Sequence, residues 1–242
     1  MALSGRSSAE MTDHRTNDHG QPIGLPVEGS FPRPFPPNAP MTGRFVRLEQ
    51  TRSEHAPALY EAFARDDGGA NWTYLPGAPL RDLAEAQAWI ESCAKSTDPL
   101  FQTICRLDGT PVGIASYLRI DQANGVIEVG HIHFSPLLQR SPAATEAMYL
   151  MMKRAFDELG YRRYEWKCDA LNGPSRRAAE RLGFSYEGTF RQAVVTKGRN
   201  RDTAWFSVID SEWPTLRARF EAWLDPSNFD AEGQQIVRLQ DL

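Results

Sequence analysis

Cysteine is scarce in this chain, and its three copies, Cys93, Cys105 and Cys168, stand at spacings that no metal site uses. Their odd number suits no disulfide framework, so the expectation is reduced thiols in a cytoplasmic protein. Long apolar runs are missing as well: none reaches the length of a membrane span, and none follows a basic segment in the manner of a signal peptide, so a soluble protein without a membrane partner is expected. Nor is there an excess of positive charge. The 27 Lys and Arg residues against 31 Asp and Glu give a formal charge of −4, which removes the electrostatic reason to expect nucleic acid as a partner. Local basic patches remain at Arg176 and Arg177 and at residues 197–201, and these can hold smaller anions. No internal repeat is present.

What the chain does contain, 41% hydrophobic residues over 242 positions, is enough to fill the core of one domain with extensions. The first forty residues are polar and then proline-rich, with Pro32, Pro34, Pro36, Pro37 and Pro40 around Phe31 and Phe35. This composition predicts a disordered or extended N-terminal arm over residues 1–41. His14 and His19 lie in it without acidic or cysteine companions and receive no metal role. A folded domain is expected over 42–212 and a C-terminal helix and tail over 213–242, with Phe229, Ile236 and Val237 as the residues able to dock the tail.

Alternating polar and apolar residues mark a half-buried strand at 44–48. A helix is expected from an N-cap at Ser53, and a second over 82–96, with Leu83, Ala86, Trp89, Ile90 and Cys93 on one face. Strands follow at 101–107, 112–120 and 126–134, joined at Asp108-Gly109 and Asn124-Gly125, both of which have hairpin chemistry. A helix over 143–159, a strand at 164–169 and a short helix ending at Gly183 come next. The order strand, helix, strand predicts a parallel pair. A hairpin of 184–196 with 202–209 across Lys197-Gly198-Arg199-Asn200 and a helix over 211–224 complete an α/β fold with a mixed, mainly antiparallel sheet of about seven strands.

The stretch from Gln139 to Glu146 joins the 126–134 strand to the long helix. Ser141 is a good N-cap and Pro142 suits the first helical position, so backbone N–H groups and the positive end of the helix dipole face outward, where a phosphate fits. In the loop at 71–77, Trp72 and Tyr74 either wall a substrate pocket or plug the helix pair. Trp166, Lys167, Tyr186 and Trp205 add large side chains to the late strands, and residues 199–202 read as a polar hairpin tip.

Five pieces in order carry a resemblance: Glu128-Val129-Gly130-His131, residues 139–147, Asn172 with Ser175, Arg181-Leu182-Gly183-Phe184, and Glu187-Gly188. Together they resemble the GNAT acyl-CoA N-acyltransferases, in particular the RimJ and RimL branch, over roughly residues 42–212. The resemblance implies a sheet splayed between its fourth and fifth strands and acetyl-CoA as co-substrate, with no metal. It implies that His131, Ile132, His133 and Phe134 offer a strand edge to the pantetheine arm. Gln139, Arg140, Ser141, Ala143, Ala144 and Thr145 would hold the pyrophosphate. Pro142 stands where the family pattern has its first glycine and removes one N–H donor.

Acetyl transfer asks for a neutral amine, a donor to the developing oxyanion and a proton for the leaving thiolate. Asn172 and Ser175 match the family's Asn-x-x-Ser, so Asn172 either orients the cofactor or caps the helix, and Ser175 is the candidate acid. Glu128 and His131, ahead of His133, are the candidate bases; water is the alternative. The acceptor side is expected to use Trp72, Tyr74, Tyr186 and Trp205. The implied acceptor is a small-molecule amine or a protein N-terminus, a homodimer is compatible with the family, and the alternative from another class is a non-catalytic acyl-CoA-binding or regulatory protein.

Overall fold

The computed structural model describes residues 14–242. The first thirteen residues of the expected arm lie outside the described residues. By its contacts the chain divides into residues 1–31 and 32–242. In the first unit, β1 (His14–Thr16) and β2 (Pro22–Gly24) pair antiparallel. Asn17 makes this hairpin possible, because its side-chain oxygen accepts from the N–H groups of His19 and Gln21 while Gly20 takes a positive φ of 75°. Of the two states expected for the arm, disordered or extended, this stretch takes extended backbone. In the second unit the proline segment is already part of the fold: Arg33 exchanges hydrogen bonds with Gln122, and the Arg154 guanidinium donates to the carbonyls of Ala39 and Pro40. Prolines leave carbonyls without neighbouring N–H groups, and buried side chains supply the donors.

The main sheet has eight strands: β3 (Met41–Thr42), β4 (Val46–Gln50), β5 (Leu100–Arg106), β6 (Pro111–Asp121), β7 (Val126–Phe134), β8 (Arg163–Asp169), β9 (Ser185–Thr196) and β10 (Arg199–Ile209). Their spatial order is β3-β4-β5-β6-β7-β8-β10-β9, antiparallel throughout except for β7 beside β8. The eighth strand is the two-residue β3, too short to show a period. The β9–β10 turn is Lys197-Gly198, both at positive φ, so Arg199, Asn200 and Arg201 are strand residues rather than the expected tip. This two-residue geometry matches the twist of the flanking strands.

The helices are α1 (Ala56–Phe63), α2 (Leu83–Lys95), α3 (Pro142–Lys153), α4 (Gly173–Arg181) and α5 (Trp213–Leu224). Ser53 begins a short 3-10 turn and not α1 itself, whereas Asp82 caps α2 through the N–H of Glu85. Helices α1 and α2 cover one face of the sheet, where Leu59, Phe63, Ile90 and Cys93 bury Phe101 and Ile114. On the other face α3 and α5 bury Tyr117, Ile127, Val129, Trp166 and Phe206. Fully burying side chains of this size stabilises by about 2 kcal/mol each before entropy is counted. The tail after α5 docks through Leu239, fully buried, and Phe229 packs against Phe45 and Trp223, while Ile236 remains 64% exposed and makes no such anchor.

Helix α3 is fixed at its N-terminal end by Glu146, whose carboxylate accepts from the backbone N–H groups of Arg44, Phe45 and Val46 at 2.7, 2.6 and 3.0 Å. Residue 43 is glycine because a Cβ there would stand 2.3 Å from the Glu146 carboxyl carbon. Two irregularities in β7 then shape the site. Opposite β6 the register passes from Ser116↔Gly130 to Ile114↔His133, so two β7 residues face one, and His131 takes a φ of 48°. This is a β-bulge. Beside β8, pairing ends at Val129↔Trp166 although β7 continues to Phe134 and β8 to Asp169. The sheet is splayed there, as the resemblance implied.

Candidate active site

The open half of the β7–β8 pair lies between two capped helix starts. At the end of β7, Ser135 is tied to the Val112 carbonyl, Gln139 donates to the Phe134 carbonyl, and Arg140 is exposed with a φ of 56°. Ser141 caps α3, accepting from Ala144 N–H at 3.3 Å and donating to the Leu138 carbonyl at 2.6 Å. With Pro142 lacking an N–H and that of Ala144 committed to the cap, fewer first-turn donors remain for an anion. Ala143 and Ala144 are half-buried at this helix start, whereas Thr145 is buried and its hydroxyl accepts from Arg181 at 3.1 Å. The Thr145 hydroxyl thus faces the interior.

At the end of β8, the Asn172 side chain caps α4 by accepting from Ser175 N–H at 3.2 Å. Of the two roles open to Asn172, its oxygen fills the cap. The Ser175 hydroxyl oxygen accepts from the Trp166 indole N–H at 3.0 Å, so its own proton is the one directed at the Cys168 sulfur. Cys168 lies beside it; burial pushes that thiol's pKa up, and the hydrogen bond with Ser175 opposes the rise.

Within β7 the candidate bases have separate surroundings. Glu128 is buried and engaged on one oxygen by Arg119 at 2.6 Å and Lys167 at 2.8 Å; Lys167 also reaches Glu165 at 2.8 Å. It is a member of an ion network, with no oxygen in the aromatic pocket described below. His131 contacts the Ser116 hydroxyl through Nδ1 at 3.1 Å, and that hydroxyl donates to the Gly130 carbonyl. Because the single hydroxyl proton is used on the carbonyl, Nδ1 carries the imidazole proton and Nε2 keeps the lone pair. Burial, and next the Arg119 charge, hold His131 below the ordinary imidazole pKa, so it is neutral at pH 7. His133 is 2% exposed, stacked on Phe63 at 3.9 Å and set edge-on to Trp72 at 4.4 Å. Burial drops its pKa to about 4, and neither ring nitrogen has a hydrogen-bond partner among the described residues.

Both histidines line a cavity of about 320 Å³ on the α1–α2 side of the sheet, together with Trp72, Trp89, Cys93 and Phe101. Trp72 therefore does both things its sequence position allowed: it packs into the helix pair against Phe63 and Trp89, and it walls a pocket. Tyr74 lies in the same loop, its hydroxyl donating to the Leu171 carbonyl at 3.1 Å. Three further bonds hold this loop: Gln139 to the Asn71 side chain, Lys197 to the Trp72 carbonyl at 2.6 Å and Arg199 to the Thr73 carbonyl at 3.4 Å. Tyr186 and Trp205 are elsewhere. Tyr186 is exposed on β9 beside Thr189, and Trp205 lies under the Lys167 ammonium, 3.7 Å from its ring centre.

Trp89 and Cys93 were readable as one helix face but not as pocket walls, and nothing local marks Phe101 or Lys197 as their neighbours. Among the described residues no group of three or more His, Cys, Asp or Glu could hold a metal ion, and no helix is long and apolar enough to cross a membrane.

A family profile described as an acetyltransferase (GNAT) domain matches residues 46–185. The crystal structure of a GCN5-related N-acetyltransferase from Brucella melitensis is 50% identical, with a TM-score of 0.86 over 88% of this chain and 98% of that one. "Putative ribosomal N-acetyltransferase YdaF" from Bacillus subtilis (strain 168) is 29% identical over 106 residues, which span 44% of this chain and 57% of that relative. The microcin C7 self immunity acetyltransferase MccE, crystallised in complex with acetyl-CoA and AMP, shares the fold at 20% identity and a TM-score of 0.61, over 69% of this chain and 93% of that one.

Proposed function

Because the chain belongs to the GNAT acetyltransferases, we propose that it transfers the acetyl group of acetyl-CoA to a primary amine, on a small molecule or a protein N-terminus, by direct attack in a ternary complex. The observation that carries this reading is the ending of β7–β8 pairing at Val129↔Trp166, which opens a slot between the starts of α3 and α4. An extended arm bearing amides fits a slot with unpaired strand edge, and its polyanionic end falls at Gln139 to Ala144, with Arg140 supplying charge. The bulged backbone at His131 supplies the N–H donor for the oxyanion.

In this scheme the amine lone pair attacks the thioester carbonyl carbon and the C–S bond breaks. His131 Nε2 accepts the proton released by the amine, and Ser175, polarised by the Trp166 indole, gives its proton to the departing thiolate and recovers one from solvent. The ion pairs of Glu128 support a positioning role for it in place of the base. The name "Putative ribosomal N-acetyltransferase YdaF" favours keeping a protein amine among the acceptors. The three cysteines, free and buried, support a reducing cytoplasmic setting.

Calorimetry with acetyl-CoA, followed by thiol release over a panel of amines and peptides, tests the proposal. Binding together with release is the expected result. Binding with no release from any acceptor would leave the non-catalytic acyl-CoA-binding reading in its place. Ser175→Ala should lower turnover about tenfold and acetyl-CoA affinity much less, since an acid acts mainly in the transition state.

A further inference from the structure

We infer that the cavity between the α1–α2 pair and β7 selects the acceptor, and that it takes an amine carrying an uncharged aromatic group with a hydrogen-bonding atom on its ring. The inference rests on the transferase reading above and adds the acceptor's chemical class. Three observations carry it. The first is what the walls lack: among the described residues no Lys, Arg, Asp or Glu lines this cavity, so a carboxylate, phosphate or second ammonium inside it would be buried without a partner. The second is shape. Trp72, Trp89, Phe101 and the two imidazoles present ring faces and edges, and about 320 Å³ is at the small end for ligand sites, so one flat side chain fits and a folded peptide does not.

The third is His133. Its ring lines the cavity, packed against Phe63 and Trp72, and both its nitrogens are covered and lack partners among the described residues. Buried polar groups left in this state are uncommon and point to a missing partner. A neutral imidazole offers one donor and one acceptor, so a phenol hydroxyl or an indole N–H on the acceptor's ring would satisfy it once the imidazole turns a nitrogen into the cavity it lines. His131 lines the same cavity two positions earlier on the strand. One strand would thereby read both ends of the acceptor, the reacting amine at His131 and the ring atom at His133.

The test is kcat/KM by thiol release with acetyl-CoA and tyramine, tryptamine, phenethylamine, hexylamine, spermidine, glutamate and a short peptide with an N-terminal tyrosine. Tyramine or tryptamine should exceed phenethylamine, which has no polar ring atom, by about tenfold, and spermidine and glutamate by about a hundredfold; the peptide arm tells a free amine from a chain terminus. His133→Phe keeps the stacked ring and removes the nitrogens, so it should erase the advantage of tyramine or tryptamine over phenethylamine. Ser92→Phe, at an exposed cavity-lining position on α2, should raise the KM of the aromatic amines about tenfold and leave acetyl-CoA affinity as it was.

A charged or aliphatic amine at the head of the panel would overturn this inference alone, as would an equal loss on every amine in His133→Phe. Absence of release from every acceptor, with acetyl-CoA bound, would overturn the transferase reading and this inference with it.

Discussion

The two halves of β7 differ more from each other than either does from its neighbours. From Val126 to Val129 the strand is paired on both sides, and its one buried charge, Glu128, is matched by Arg119 and Lys167. From Gly130 to Phe134 it is bulged against β6 and unpaired beside β8, and the buried imidazole of His133 has no partner among the described residues. One strand thus contains a half whose buried charge is matched from within and a half whose buried imidazole is left unmatched. The lesson is that polar burial by itself does not mark chemistry. The ion network and the lone imidazole are both buried, and only the second has bonds left for a ligand.

The largest expected effect comes from breaking the satisfied half. Glu128→Leu leaves Lys167 with Glu165 as its sole carboxylate, and removing one partner of a buried pair typically costs about 3 kcal/mol or more. A urea unfolding midpoint that does not move would show that the network adds no stability.

In the open half the stability test is one of pH. The folded pKa of His133 is about 4, whereas an unfolded histidine titrates near 6.5, so between these values the unfolded chain binds more protons. Stability from this group is whole above roughly pH 6.5 and is lost as the pH falls toward 4, a loss on the order of 3 kcal/mol. His133→Phe should flatten that slope between pH 7 and pH 4.5. If the slope is unchanged, the acid sensitivity belongs to other groups.

His131→Gln sharpens the comparison on the functional side, with turnover falling about a hundredfold as for loss of a general base. Because burial lowers the His131 pKa, its limb in the activity profile should lie below the ordinary imidazole value and stay in place when the acceptor's amine pKa is varied. A limb that follows the acceptor would make solvent the proton sink. The smallest effect is expected at the slot's outer end, where Arg140→Glu should weaken acetyl-CoA binding by about 1 kcal/mol by calorimetry and leave the melting temperature unchanged.

How far the sequence reveals all this depends on the reach of each interaction. The strands from 101 to 134 are legible because alternation and Asp-Gly or Asn-Gly turns are local, and the start of α3 is legible because Ser141 and Pro142 act within one turn. The bulge is not: it depends on which residue of β6 faces Gly130, and nothing in residues 128–134 states that register. The tautomer of His131 depends in turn on Ser116, fifteen residues away. Glu146 reads as a polar residue in the first turns of a helix, and its role emerges only when residues 44–46 arrive a hundred positions earlier in the chain. Lys197 reads as a solvated turn residue for the same reason.

The loop that carries Trp72 is bound at four points, and their placement makes it a coupling element. Gln139 follows β7, Leu171 follows β8, and Lys197 and Arg199 come from the β9–β10 hairpin, so three separate parts of the sheet's far end each hold one stretch of backbone. Four such bonds give displacement a path through the loop. A molecule that pushes the ends of β7 and β8 apart pulls on the pocket wall, and one that moves the wall pulls on the strand ends. Thermodynamic reciprocity then requires each to alter the other's affinity by the same factor.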